Sequence, residues 1–209
     1  QFAYVANITS DSISAFSIHS VTGALTVLPQ SPVAARPGPA SIAIAGGSPL
    51  TFTPQFAYVG NYFSNNVSAY TINAGSGALS AVAGSPFATS TNPPMSVAAD
   101  PAGKFVYVAN QNLNNVFAFT INAVTGALTA VAGSPFTAGT TPGSVTVDPS
   151  GKFVYVANQN SSNVSAYTIN AVTGALTAVA GSPFAAGTTP FSVMVDPTGQ
   201  FAYVVNFTS

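Results

Sequence analysis

The chain has 209 residues, the size of one large domain or two small ones, and only 3% of them are charged. An ordinary soluble domain carries about 25%. Three Lys+Arg cannot cover a phosphate backbone, so nucleic acid is excluded as a partner. The absence of Cys excludes disulfides, thiol chemistry and Cys-ligated metals. A 47% hydrophobic content with a net charge of −1 excludes intrinsic disorder. Pro, Gly, Asn, Ser and Thr break every apolar run well short of the roughly 18 residues that a membrane helix needs, so no membrane insertion is expected. The chain starts at Gln1 without a signal-peptide pattern, and is expected to be a processed product or a piece of something longer.

In chain order, the motif Phe-x-Tyr-Val-x-Asn recurs at Phe2, Phe56, Phe105, Phe153 and Phe201, with spacings of 54, 49, 48 and 48. Residues 104–151 and 152–199 align without a gap and match at 40 of 48 positions. One period predicts four short strands. In the fourth copy these are Phe153–Asn158, Asn163–Asn170, Gly174–Ala180 and Ser192–Asp196. Residues 171–174 close one hairpin, and Asp196-Pro197-Thr198-Gly199 closes another. No segment holds a sustained 3.6-residue apolar period, so almost no helix is expected. Four strands per 40–50 residues is the arithmetic of a β-propeller blade. A parallel β-helix is the alternative, but its rungs are usually shorter.

The predicted fold is all-β: a single β-propeller segment over 1–209, built of four-stranded antiparallel blades. The repeats run approximately over 2–55, 56–104, 105–152 and 153–200, with a partial one over 201–209. Label the strands A to D from the channel outward. The chain then opens on B, C and D, continues with three complete blades, and ends on A and B. Seventeen strands do not divide by four. A larger parent propeller of six or seven blades is expected, or else copies that complete each other's blades. Open blade edges would also allow self-association.

The Tyr-Val-x-Asn segments at Tyr4, Tyr58, Tyr107, Tyr155 and Tyr203, with the Asp-Pro-x-Gly and Gly-Ala-Leu-Thr segments, resemble the YVTN-repeat β-propeller family. The resemblance covers essentially the whole chain. It implies kinship with prokaryotic surface-layer propellers and lactonase-like seven-bladed propellers. It describes the blade rather than an active site.

In a propeller the A–B and C–D turns share one face, and the B–C and D–A loops share the other. The A–B turns are nearly constant, and Asp100, Asp148 and Asp196 in them are read as structural. Variation collects on the other face. Its candidate binding residues are Asp11, Tyr62, Phe63, Leu113, Asn114, Ser161 and Ser162 in B–C loops, and Arg36, Ala40, Met95, Gly143 and Phe191 in D–A loops. His19 replaces the turn asparagine seen at Asn73, Asn122 and Asn170, and is read as a turn residue. The repeated Asn7, Asn61, Asn110, Asn158 and Asn206 are expected to bond local backbone at the B–C corner. Asn-x-Ser/Thr triplets start at Asn7, Asn66, Asn160, Asn163 and Asn206.

No catalytic residue, metal site or cofactor is expected within this chain. The expected function is structural: an extracellular or cell-surface scaffold or binding module of a prokaryote, contacting an unknown protein or a glycan through the variable loops. Two alternatives stand beside it. One is a 6-phosphogluconolactonase-type hydrolase whose site lies mainly in other blades. The other is a carbohydrate-binding propeller.

Overall fold

The structure, a computed structural model, describes residues 2–46, 54–89 and 93–207. Five antiparallel sheets follow one another along the chain. The first holds β1 (Phe2–Asn7), β2 (Ser12–Ile18), β3 (Leu25–Val27) and β4 (Val33–Ala34). The second holds β5 (Pro39–Gly46), β6 (Pro54–Asn61), β7 (Asn66–Ile72), β8 (Leu79–Ala81) and β9 (Phe87–Ala88). The third holds β10 (Pro94–Ala99), β11 (Phe105–Asn110), β12 (Asn115–Ile121), β13 (Leu128–Ala130) and β14 (Phe136–Thr137). The fourth holds β15 (Pro142–Val147), β16 (Phe153–Asn158), β17 (Asn163–Ile169), β18 (Leu176–Ala178) and β19 (Phe184–Ala185). β20 (Pro190–Val195) and β21 (Ala202–Asn206) form the last. The A strands β5, β10, β15 and β20 lie side by side, so they line a common axis. This is the predicted partial propeller, and no helix occurs among the described residues.

The outer strand departs from the expectation. The third predicted strand of the fourth copy, Gly174–Ala180, is paired only over Leu176–Ala178, and its partner β17 pairs again with Phe184–Ala185. Each outer strand is therefore two short pieces on one neighbour. Counting each split strand once restores the seventeen strands among the described residues. The break is made by Ser-Pro, with a cis peptide bond at Ser31-Pro32, Ser85-Pro86, Ser134-Pro135 and Ser182-Pro183. A gap in the ladder would orphan an N–H of strand C. The serine hydroxyl fills it. Ser31, Ser85, Ser134 and Ser182 Oγ accept from the N–H of Ala15, Ala69, Ala118 and Ala166 at 2.8–2.9 Å.

In the third sheet strand B is the most buried strand, with all six residues of β11 enclosed. It lies between A and C within its sheet and between neighbouring blades across it. This double burial explains why Phe-Val-Tyr-Val-Ala-Asn is apolar on both faces. The aromatic pair of the motif joins blades. Tyr4, Tyr58 and Tyr107 hydroxyls donate to the carbonyls of Gly77, Gly126 and Gly174 in the next blade's C–D turn, at 2.9–3.0 Å. The Phe two residues earlier lies flat against the same glycine. A Cβ on Gly77, Gly126 or Gly174 would collide with Phe2, Phe56 or Phe105, and each glycine also holds a φ of 71–76°. Near the axis a serine makes a second tie. Ser41, Ser96 and Ser144 Oγ accept from Val97, Val145 and Val193 N–H of the following blade at 3.1–3.2 Å.

Tyr107→Phe removes a buried donor and orphans a carbonyl, so it should cost about 1–2 kcal/mol of unfolding free energy. Tyr155, whose hydroxyl makes no such bond among the described residues, serves as the control. Tyr155→Phe should stay within about 0.5 kcal/mol of the unaltered protein in the same urea titration.

Candidate loop-face site

The B–C and D–A loops meet at one end of the inner strands. Each B–C loop turns on a residue in the left-handed region: Asp11 (φ 48°), Asn65 (54°), Asn114 (55°) and Ser162 (49°). Asp and Asn tolerate this conformation better than other side chains, because their short polar groups bond nearby backbone. Asp11 Oδ1 accepts from Gly38 N–H, and Asn114 Oδ1 from Thr141 N–H, both at 2.9 Å. Ser161 Oγ accepts from Thr140 N–H at 3.0 Å. These candidates therefore tie three of the four B–C loops to a D–A loop.

The D–A candidates occupy a different device. The register of strands A and B shifts between Pro39 and Ser41, Pro94 and Ser96, Pro142 and Ser144, and Pro190 and Ser192. The residue skipped each time is Ala40, Met95, Gly143 or Phe191. A β-bulge leaves its extra residue outside the ladder and re-aims its side chain. That is why this position varies while the flanking Pro and Ser do not.

A further row of residues follows the strand-B asparagines, and of it the candidate set contains only Tyr62. Tyr62, Gln111, Gln159 and Phe207 N–H groups donate to the carbonyls of Gly38, Pro93, Thr141 and Thr189, at 2.6, 3.3, 2.9 and 2.9 Å. The bond sets each of these residues beside the bulge of its own blade. Ala40 thus pairs with Tyr62, Met95 with Gln111, Gly143 with Gln159, and Phe191 with Phe207. Gln159 lies over Gly143, where a Cβ would meet its amide nitrogen. The Tyr62 hydroxyl donates to Gln111 Oε1 at 3.3 Å, joining neighbouring blades. The visible signal for this row was its position directly after a constant Asn.

The remaining candidates lie further out. Phe63 is two-thirds exposed, packs edge-on to Tyr62 and covers Gly38. Leu113 is exposed. Arg36 is exposed near Tyr70. Burial raises the Tyr70 phenol, against lowering by the Ser68 hydroxyl and the Arg36 charge.

Four of the five repeated asparagines bond side chains rather than the expected backbone. Asn61, Asn110 and Asn158 Nδ2 donate to Asn66, Asn115 and Asn163 Oδ1 at 2.8–3.0 Å, and Asn61 and Asn158 also donate to Ser68 and Ser165. Asn7 donates to Ser12 and Ser14. Of the Asn-x-Ser/Thr triplets, Asn160 is exposed, and the one starting at Asn206 ends on Thr208, outside the described residues.

The opposite face carries the aspartate turns. Asp100 Oδ1 accepts from Lys104 and Phe105 N–H at 2.6 and 2.7 Å, and Asp148 and Asp196 repeat the pattern. His19 Nδ1 accepts from Val21 and Thr22 N–H at 3.4 and 3.3 Å, as Asn73, Asn122 and Asn170 Oδ1 do in their turns. Among the described residues no three His, Asp or Glu side chains converge as a metal site would require.

The profile of the Lactonase, 7-bladed beta-propeller family matches residues 50–195. The chain belongs to that family. Solved propellers of similar fold include a protein assigned as a 6-phosphogluconolactonase from Bacteroides fragilis, with 21% identity and a TM-score of 0.78, over 99% of this chain and 55% of that one. Another, from Bacteroides uniformis and assigned the same way, gives 20% and 0.77 over 98% and 55%. The periplasmic gluconolactonase of Pseudomonas aeruginosa gives 19% and 0.73 over 90% and 52%. The chain spans little more than half the length of these relatives. No curated protein sequence matches it.

The three turn aspartates differ in burial and in one hydroxyl group. Burial raises the Asp100 carboxyl above the usual range, against N–H donors from Phe105, Lys104 and Ala102. Burial also acts on Asp148, but the Ser150 hydroxyl and the N–H groups of Phe153, Lys152 and Ser150 outweigh it and hold that carboxyl low. The Thr198 hydroxyl does the same for Asp196. Asp100 has Ala102 at that place. Asp148 stabilises the fold above its unfolded pKa, and this contribution is lost as pH falls through the depressed folded value. Asp100 acts in the opposite sense: its contribution is present below the unfolded pKa and fades as pH rises through the raised folded value. Ala102→Ser should move the Asp100 carboxyl downward in a ¹³C-detected titration and raise stability at pH 6 relative to pH 3. An unmoved Asp100 would contradict this assignment.

Proposed function

We propose that this chain supplies the ring-binding part of a sugar-lactone site in a lactonase-type propeller. The observation that carries the reading is the rim of amides, a phenol and aromatic rings around the inner strands, on a chain of the Lactonase, 7-bladed beta-propeller family. Amides and hydroxyls bond ring hydroxyls, and aromatic faces cover the apolar side of a sugar. Lactone hydrolysis adds water to the ring carbonyl and breaks the ring C–O bond, leaving a hydroxyl and a carboxylate with release of a proton. Of the described residues on this face, Asp11 is the one carboxylate, and it accepts from Gly38 N–H. The chain's own contribution is therefore to bind and orient the ring. The repeated Tyr-Val-x-Asn strands support the finer placement among YVTN-repeat propellers. The low charge and the periplasmic relative support a location outside the cytoplasm, which cell fractionation checks.

A second reading is non-catalytic recognition of a glycan, favoured by the near absence of ionisable side chains on the loop face. The complete gene product, assayed by pH-stat with gluconolactone, should accelerate ring opening at least a hundredfold over the spontaneous rate. No acceleration with any sugar lactone, while the protein remains folded and binds a neutral sugar, would replace the first reading by the second.

A further inference from the structure

We propose that the bulge residue and the residue after the strand-B asparagine form a two-position reader in each blade, and that the reader formed by the described blades selects an uncharged, unphosphorylated ring. This rests on the lactone-site reading and names its substrate class. Gln159 is the contact residue, and Gly143 is the position that lets it reach the axis.

Both positions belong to a frame that the variable side chains do not hold together. The Gln159 N–H to Thr141 carbonyl bond is backbone to backbone. The Ser144 tie to Val193 N–H is made by the residue after the bulge. Variation at Gly143 and Gln159 therefore leaves the ladder intact, and the sequence shows four different combinations on four copies of that frame. In the fourth blade the bulge has no side chain and the Gln159 amide occupies its place. Gly143 does not hold a left-handed φ, so the backbone does not require glycine there. The vacancy at Cβ thus serves the amide.

The chemistry of this rim is neutral. Gln111 and Gln159 present amides, Tyr62 a phenol, and Phe191 and Phe207 exposed rings. Lys104 and Lys152 follow the aspartate turns on the opposite face, and Arg36 lies outward beside Tyr70. A phosphate dianion moved onto this rim would lose hydration without gaining a cation. A neutral hydroxylated ring loses less and finds donors and acceptors of its own kind.

The probes are gluconolactam, an uncharged ring that does not open in water, and its 6-phosphate. Calorimetric titration of the chain should show the neutral ring binding at least tenfold more tightly than the phosphorylated one. Gly143→Met fills the bulge and displaces the flexible end of Gln159, and Gln159→Leu removes the amide. Each should weaken gluconolactam binding roughly 5–10-fold, the worth of one neutral hydrogen bond, with the unfolding midpoint unchanged. Val172→Ser, in an exposed C–D turn on the opposite face, should bind as the unaltered chain does. Tighter binding of the phosphate, binding unchanged in both variants, or no binding to the chain would each overturn the proposal. If the variants bind normally while the complete gene product opens gluconolactone, the reader fails and the lactone reading survives. Weakened binding without lactone opening leaves the reader standing and removes the reaction.

Discussion

The fold depends on one repeated contact: a tyrosine hydroxyl of one blade against a glycine carbonyl in the next blade's outer hairpin, with a phenylalanine ring over the same glycine. A blade cannot bury both its faces alone. Burial by itself is non-directional and would let neighbouring sheets slide. The hydroxyl–carbonyl bond removes that freedom, because it pairs one donor with one acceptor at a fixed height. The left-handed glycine is needed twice, for the turn and for the ring. Nearer the axis, the serine ties between inner strands fix the same register from the other side. The hydrophobic clusters spanning sheets two to four lie between these two sets of ties.

Much of this was legible because the repeat reports packing directly. Phe105–Asn110 and Phe153–Asn158 were readable to the residue as strands, since both faces of strand B meet other blades and every position is apolar or a fixed Asn. The outer strand was read too simply. Gly-Ala-Leu-Thr-Ala-Val-Ala looks like one strand by composition, and nothing local reveals that a serine hydroxyl two residues later replaces the missing ladder bond. The inter-blade role of Phe-x-Tyr was also hidden, because its partner lies about seventy residues away and has no side chain.

The loop face was legible as a place of variation and less so as a mechanism. Asp11 and Asn114 vary within what a left-handed turn tolerates, whereas Ala40, Met95, Gly143 and Phe191 vary because a bulge removes them from the ladder. Comparison of internal copies shows both as equal differences. Only the register separates a residue that shapes its loop from one that the loop presents. Gln111 and Gln159 escaped notice because they are identical in two copies, although their backbone bonds set them beside the bulges.

The split outer strand bears on how a sheet edge is guarded in a chain with so few charges. Proteins commonly guard an exposed sheet edge with lysine or other charged side chains. Here the outermost pieces are only two or three residues long, and a proline follows the serine at each break. An incoming strand would find no continuous row of donors and acceptors along the blade rim. Protection against edge-to-edge growth along this rim is thus written into the shape of the backbone and does not rest on a charge that acid could titrate or salt could screen.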